Sequence, residues 1–264
     1  MAESLPQLRE EDRGRARWLI LARPGQRNAL TFELLRELRA ALQRADSDAG
    51  VRAICLTGEG EKAFCVGMDF SSAAEAAAAG PMAAHEGRRL YAQLLAEMAR
   101  LGKPVVAAVN GAVLGGGMGL LAACDLAVAA EEALFGTPEV DVGLFPYMAL
   151  APLTRCLGRR AALELFFTAR KVDAEEALRL GLVNSVVPRE ELAAKAQELL
   201  DVLAEKSPAA LRLGRRAFYA TQDLPYEAQL EALCAQLGLN AQAEDAAEGV
   251  AAFLGKRKPE FSGR

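Results

Sequence analysis

The sequence predicts an α/β fold with parallel strands and a helical C-terminal quarter. Two observations carry this prediction. Short apolar runs alternate with amphipathic stretches up to about residue 190, and four amphipathic segments then follow in succession. Strands separated by helices pair in parallel, because the helix returns the chain to the same end of the sheet. The chain of 264 residues is long enough to bury a sizeable core, and 52% hydrophobic with 25% charged residues is a globular balance.

The elements follow in order. "ARWLILARP" (16–24) reads as a strand closed by Pro24. "TFELLRELRAALQRADSD" (31–48) reads as a helix, with Thr31 as cap, Glu33 and Glu37 early, and leucines at helical spacing. "VRAICLTG" (51–58) is a buried strand, followed by the loop "EGEKAFCVGMDFSS" and an alanine-rich stretch to Gly80 read as loop or loose helix. Residues 84–101 form another helix, ended by Gly102 and Pro104, and "PVVAAVNG" is a short strand. "MGLLAACD" reads as a helix, "LAVAA" as a strand and "ALFGTPEVDVGL" as a strand and turn. The last four helices are "EELAAKAQELLDVLAEK", "SPAALRLGRRAFYAT", "LPYEAQLEALCAQLG" and "EDAAEGVAAFLG". A body over 1–195 and a helical region over 196–264 are therefore expected, the latter packing its apolar faces on the body or on another subunit.

Composition excludes several functions. A net charge of -4 argues against sequence-independent nucleic-acid binding, which needs a basic face. No apolar run reaches the roughly 18 residues of a membrane span, and the polar start "MAESLPQLREEDRGRAR" has no signal core. The five cysteines form no C-x-x-C pair and read as reduced, buried small residues, which points to the cytoplasm. The single histidine, His85, is expected on the exposed face of a helix; it rules out a multi-histidine zinc site and would be the sole base available to a serine triad.

The chemistry centres on "NGAVLGGGMGLLAACD" (110–125). Three glycines between a strand and a helix start let a ligand oxygen approach backbone amides that have no partner within the helix. The G-x-G-x-x-G register fails, since Leu120 stands at the third glycine position, and no phosphate-loop lysine follows. The remaining readings are a tight structural crossing or an oxyanion hole. The second demands another amide and an acid–base group. "KAFCVGMDF" (62–70) offers the amide, and Glu139, after Pro138 in an apolar loop that would raise its pKa, offers the carboxylate.

Taken in order, "EKAFCVGMDF", "KPVVAAVNGAVLGGGMGLLAACDLAVAAEEALFGTPEVDVGL", "TARKVDAEEALRLGLVNSVVP" and "AAFLGKRKPEF" resemble the enoyl-CoA hydratase/isomerase (crotonase) superfamily over nearly the whole chain. The resemblance implies a spiral of ββα units with a C-terminal trimerisation region, assembled as a homotrimer or a dimer of trimers. It implies an acyl-CoA thioester as substrate, with coenzyme A part of that substrate and no metal or redox cofactor. Carried over by position, the oxyanion-hole amides fall on Met68 and Gly116, and the catalytic carboxylate on Glu139. Arg23, Arg27, Lys256 and Lys258 become candidates for the CoA phosphates, and Met118, Phe145, Tyr147 and Met148 for the acyl pocket. Asp69 is expected to cap or brace the oxyanion loop. Phe253 closes the acyl tunnel or simply packs.

The pattern is broken at one place. Hydratases of this family carry a second glutamate, closing the glycine motif, and here that position is Gly119. The glycine-rich turn that usually follows the other glutamate is replaced by "LFPYMALAPL". Water addition divides its proton transfers between two carboxylates, whereas moving a double bond from the 3- to the 2-position needs one. The expected activity is therefore 3-enoyl/2-enoyl-CoA isomerisation. Hydration or a weakly catalytic acyl-CoA binder are the alternatives, and a hydrolase using Ser71 or Ser72 with His85 ranks last.

Overall fold

The computed structural model describes residues 6–264, so the first five residues of the expected 1–195 body lie outside the described residues. Among the described residues, ten strands form two sheets. The larger has the order β1 (Leu8–Arg13), β2 (Ala16–Leu21), β3 (Ala53–Gly58), β5 (Val105–Val109), β7 (Leu126–Ala130), β10 (Ser185–Val187). The smaller runs β4 (Ala63–Cys65), β6 (Ala112–Leu114), β8 (Leu134–Gly136), β9 (Val172–Asp173). All pairs are parallel except β1–β2 and β8–β9.

Helices connect the strands: α1 (Phe32–Ser47), α2 (Phe70–Ala78), α3 (Pro81–Met98), α4 (Gly116–Ala122), α5 (Tyr147–Cys156), α6 (Arg159–Thr168) and α7 (Ala174–Leu180). Four more complete the chain: α8 (Leu192–Ala204), α9 (Pro208–Thr221), α10 (Tyr226–Asn240) and α11 (Glu244–Leu254). The alanine-rich stretch after Asp69 is thus helical. Thr31 caps α1 as expected, its hydroxyl accepting from the Leu34 amide at 3.0 Å.

The period of two along each strand splits the large sheet into two faces. Leu19 and Leu21, Ile54 and Leu56, and Val105, Ala107 and Val109 enter the main core with the leucines of α1. Trp18 and Ile20, Ala53 and Cys55, and Val106 and Ala108 face the other way, where Leu192, Ala196 and Leu200 of α8 cover them. The expected boundary at 195/196 therefore falls inside α8. Its apolar stripe at four-residue spacing is what seals the sheet, so the body extends through α8.

Strand β1 was not foreseen. Its "LREEDR" buries only Leu8 fully, because it is an edge strand held to β2 by the ladder and a turn at Gly14, where φ is +60°. Charges on an edge discourage pairing with other chains. The cysteines also divide: Cys55, Cys65 and Cys124 are buried as expected, but Cys156 and Cys234 are exposed, on the outer sides of α5 and α10.

Candidate active site

Two loops meet beside α4. Gly67, at φ +90°, turns the chain after β4, and a Cβ there would lie 2.8 Å from the Gly116 nitrogen. Reciprocally, a Cβ on Gly116 would stand 3.7 Å from the Met68 nitrogen. The two amides are therefore close neighbours. Leu30 forms a parallel bridge with Met68, accepting from the Asp69 amide at 3.0 Å and donating to the Gly67 carbonyl at 2.8 Å. That ladder leaves the Met68 N–H out. Gly116 opens α4, so its N–H has no acceptor within the helix. Neither amide donates to a protein group among the described residues.

The glycine triple has a separate task at each position. Gly115 sits at φ +54°, and a Cβ there would come within 3.1 Å of Glu139 Oε1. Gly116 presents its amide, and Gly117 packs directly against the Cys65 carbonyl of β4. A side chain at either end of the triple would push α4 away from β4 or fill the space of the carboxylate.

Glu139 lies in the short 3-10 helix Pro138–Val142, which Gly143 ends with φ +73°. Its carbonyl accepts from the Leu144 amide at 2.9 Å, fixing the turn. The side chain is half-buried, with Oε2 fully buried and without a hydrogen-bond partner. Burial raises its pKa, as expected from the apolar loop. Asp141, two residues on, is an exposed residue of the same short helix.

The Gly67–Asp69 loop is braced by the Asp69 side chain. Its carboxylate caps α2, accepting from the Ser71 and Ser72 amides at 3.0 and 3.2 Å and from the Ser71 hydroxyl. Arg23 completes the brace at 2.9 Å and also donates to the Ala29 carbonyl at 2.5 Å. Burial would raise the Asp69 pKa, but these hydrogen bonds outweigh it and hold it low. Arg23 thus departs from the expected free phosphate ligand: its guanidinium is committed to the loop. The Ser71 hydroxyl is likewise engaged, and His85 is exposed on α3, with no contact that would activate a serine.

The other expected residues are distributed unevenly. Arg27 is exposed at φ 50°, without an acidic partner among the described residues. Lys256 and Lys258 follow α11 in an exposed tail, where Lys258 pairs with Glu205 at 2.8 Å. No contact within the described residues joins the tail to the two loops. Phe253 is 82% exposed, so within this chain it neither closes a tunnel nor packs. Met118 is not a pocket wall: the first turn of α4 drives it wholly into the main core. Phe145 and Met148 are half-buried against that core, and Phe145 stacks edge-on to Phe166 at 5.9 Å. Tyr147 is 77% exposed and 5.3 Å from Phe145.

Gly119, the position of the missing glutamate, is buried under Tyr91 and α5. A Cβ there would meet the Tyr91 hydroxyl at 2.5 Å and the Ala149 Cα at 3.0 Å. Sequence reasoning missed Tyr91. The signal was available: Tyr91 lies on the buried stripe Gly87, Leu90, Tyr91, Leu94, Met98 of α3, and a buried phenol needs a hydrogen-bond partner.

The family model described as "Enoyl-CoA hydratase/isomerase" matches residues 18–264. The chain is 35% identical to the short-chain-enoyl-CoA hydratase of Clostridium acetobutylicum over 95% of each protein. It is also 35% identical to the crotonyl-CoA hydratase of Syntrophomonas wolfei, over 92% of this chain and 93% of that one. The crystal structure of an enoyl-CoA hydratase from Bacillus anthracis superposes with a TM-score of 0.92 at 32% identity, covering 98% of this chain and 100% of that chain. Two sheets, a strand-to-helix glycine turn facing a second loop, and full-length similarity to these proteins all agree: the chain belongs to the enoyl-CoA hydratase/isomerase (crotonase) family.

Proposed function

We propose that the chain adds water to a 2-enoyl-CoA thioester, using Glu139 as its one acid–base group and the Met68 and Gly116 amides as an oxyanion hole. The observation that carries this reading is a desolvated carboxylate with an unpartnered oxygen beside two unpartnered amides. The names of the relatives favour hydration over the isomerisation expected from the sequence. In this mechanism ionised Glu139 takes a proton from water as the oxygen attacks C3. The electron pair moves through C2 to the thioester oxygen, where the two N–H groups hold the enolate. Protonated Glu139 then returns the proton to C2, so one carboxylate serves both steps.

Isomerisation stays as a second reading because one observation favours it: the volume of the second carboxylate is closed at Gly119. Glu139 would then remove a proton from C2 of a 3-enoyl thioester and deliver it to C4 through a dienolate. Arg27, and Lys256 and Lys258 from a neighbouring subunit, are the proposed contacts to the CoA phosphates. Phe145, Tyr147 and Met148 are the proposed acyl wall. A homotrimer or dimer of trimers is supported by Leu237, Val250, Phe253 and Leu254, all exposed on α10 and α11. Cysteines without disulfides support a reducing, cytoplasmic setting, and no described helix is long and apolar enough to cross a membrane.

The test is to supply 2-enoyl- and 3-enoyl-CoA separately and follow conjugation and 3-hydroxyacyl product. Hydroxyacyl product from the 2-enoyl substrate is expected. Conjugation of the 3-enoyl substrate alone would replace hydration by isomerisation, and binding without either product would overturn both.

A further inference from the structure

We propose that Tyr91 is a positioning residue that holds the Gly116 carbonyl, on the far side of the residue whose N–H serves the oxyanion hole, and, with Gly119, makes this a one-carboxylate site. The proposal rests on the reading of Met68 and Gly116 as the oxyanion hole, and it assigns a role to a residue of α3 that no motif marks.

Three observations converge on it. The Tyr91 hydroxyl donates to the Gly116 carbonyl, in the first turn of α4, although Tyr91 is 1% exposed and 25 residues away in sequence. The same ring approaches Gly116 from below, since a Cβ there would lie 3.7 Å from Tyr91 Cζ. The hydroxyl also occupies the space over Gly119, 2.5 Å from where a Cβ would stand.

A buried phenol contributes strongly when its hydroxyl is satisfied. Here the partner is the carbonyl next to a catalytic amide. The Gly116 N–H belongs to the Gly115–Gly116 peptide, whose carbonyl accepts from the Met118 amide at 2.9 Å. Tyr91 holds the other side of the same residue, the Gly116 carbonyl of the next peptide, so Gly116 is fixed from both ends. The arrangement also explains why Gly119 replaces glutamate. The phenol and a second carboxylate compete for one volume, and this chain holds the phenol. Tyr91 therefore sets which carboxylates the site contains as well as where its hydrogen-bond donor points.

The experiment uses Tyr91→Phe, which keeps the ring and removes the hydroxyl. The first readout is the red shift in absorbance of a conjugated dienoyl-CoA on binding, which reports polarisation of the thioester carbonyl. Wild type is expected to show the shift, with Tyr91→Phe binding the probe at similar affinity, losing most of the shift, and turning over about five- to tenfold more slowly in kcat with KM little changed. An unchanged shift and kcat in Tyr91→Phe would overturn the proposal. A wild-type protein that binds the probe without any shift would instead overturn the oxyanion-hole reading beneath it.

A second measurement isolates the volume. Gly119→Ala is expected to lower Tm in wild type and to lower it less in Tyr91→Phe, because the closest clashing atom is gone. Equal losses in both backgrounds would show that Tyr91 does not occupy the space of a residue-119 side chain.

Discussion

In the proposed mechanism Glu139 carries the proton transfers on one side chain. Its Oε2 is buried and unpartnered, and burial raises its pKa from the ordinary glutamate value. A group whose folded pKa is raised binds its proton more tightly in the folded state, so stability falls as pH rises through that pKa. The proposed mechanism uses the base form, so the acid limb of kcat/KM is expected shifted upward from the ordinary glutamate value, as a pH–rate profile would show. Glu139→Gln should reduce kcat by about 10²–10⁴-fold. It should leave Tm at neutral pH unchanged or higher, since the variant no longer buries a charge. A variant with near wild-type turnover would remove Glu139 from the mechanism.

Among the elements, the loop from Gly67 to Asp69 depends on the start of α2. Asp69 holds two α2 amides, the Ser71 hydroxyl and Arg23, and it directly follows the Met68 amide. Asp69→Ala removes a cap and strands a partly buried guanidinium. A loss of about 2–4 kcal/mol is expected by denaturant titration, with a fall in kcat because the Met68 N–H loses its brace. The low pKa of Asp69 places its stabilising contribution above its unfolded pKa, and that contribution is lost as pH falls through the lower folded value. Helix α8 shows the same dependence through packing. Leu200 is fully buried against the outer face of the large sheet. Leu200→Ala should cost about 2–5 kcal/mol, with kcat in the surviving folded fraction unchanged because α8 lies on the face away from the main core.

At the scale of the molecule, α9 is fastened to the body by a half-buried polar cluster. Arg215 meets Asp125 at 2.8 Å and donates to the Met98 and Leu101 carbonyls at 2.6 Å each, while the Tyr219 hydroxyl adds a bond to Asp125 at 2.7 Å. Asp125 also accepts from the Val105 amide at 2.7 Å, so the C-terminal helices are tied to the start of a central strand. Arg215→Ala leaves Asp125 partly buried beside unpaired carbonyls. A loss of about 3–5 kcal/mol is expected in thermal or denaturant unfolding. Farther along, Asp245 gathers the Ser207 hydroxyl and the Ser262 and Gly263 amides, which draws the tail back onto α9. The outer faces of α10 and α11 remain apolar and exposed, with Phe253 and Leu254 at 82% and 76%.

The alternation of strands and helices, the cap of α1 and the four terminal helices were legible in the sequence, and the residues it singled out, Met68, Gly116 and Glu139, come together in the fold. Each rests on local rules: hydrophobic period, capping residues, glycine placement and ordered motifs. Strand β1 was not legible, because an edge strand needs no apolar alternation to pair. The tertiary structure alone decided that Arg23 braces Asp69, that Met118 is core and that α8 belongs to the body. Those outcomes depend on which groups meet across long sequence separations, where packing and unpaired charge outweigh local preference. The same physics closes the space at Gly119: the sequence reads there as a missing glutamate, and only the fold reveals the tyrosine that stands in its place.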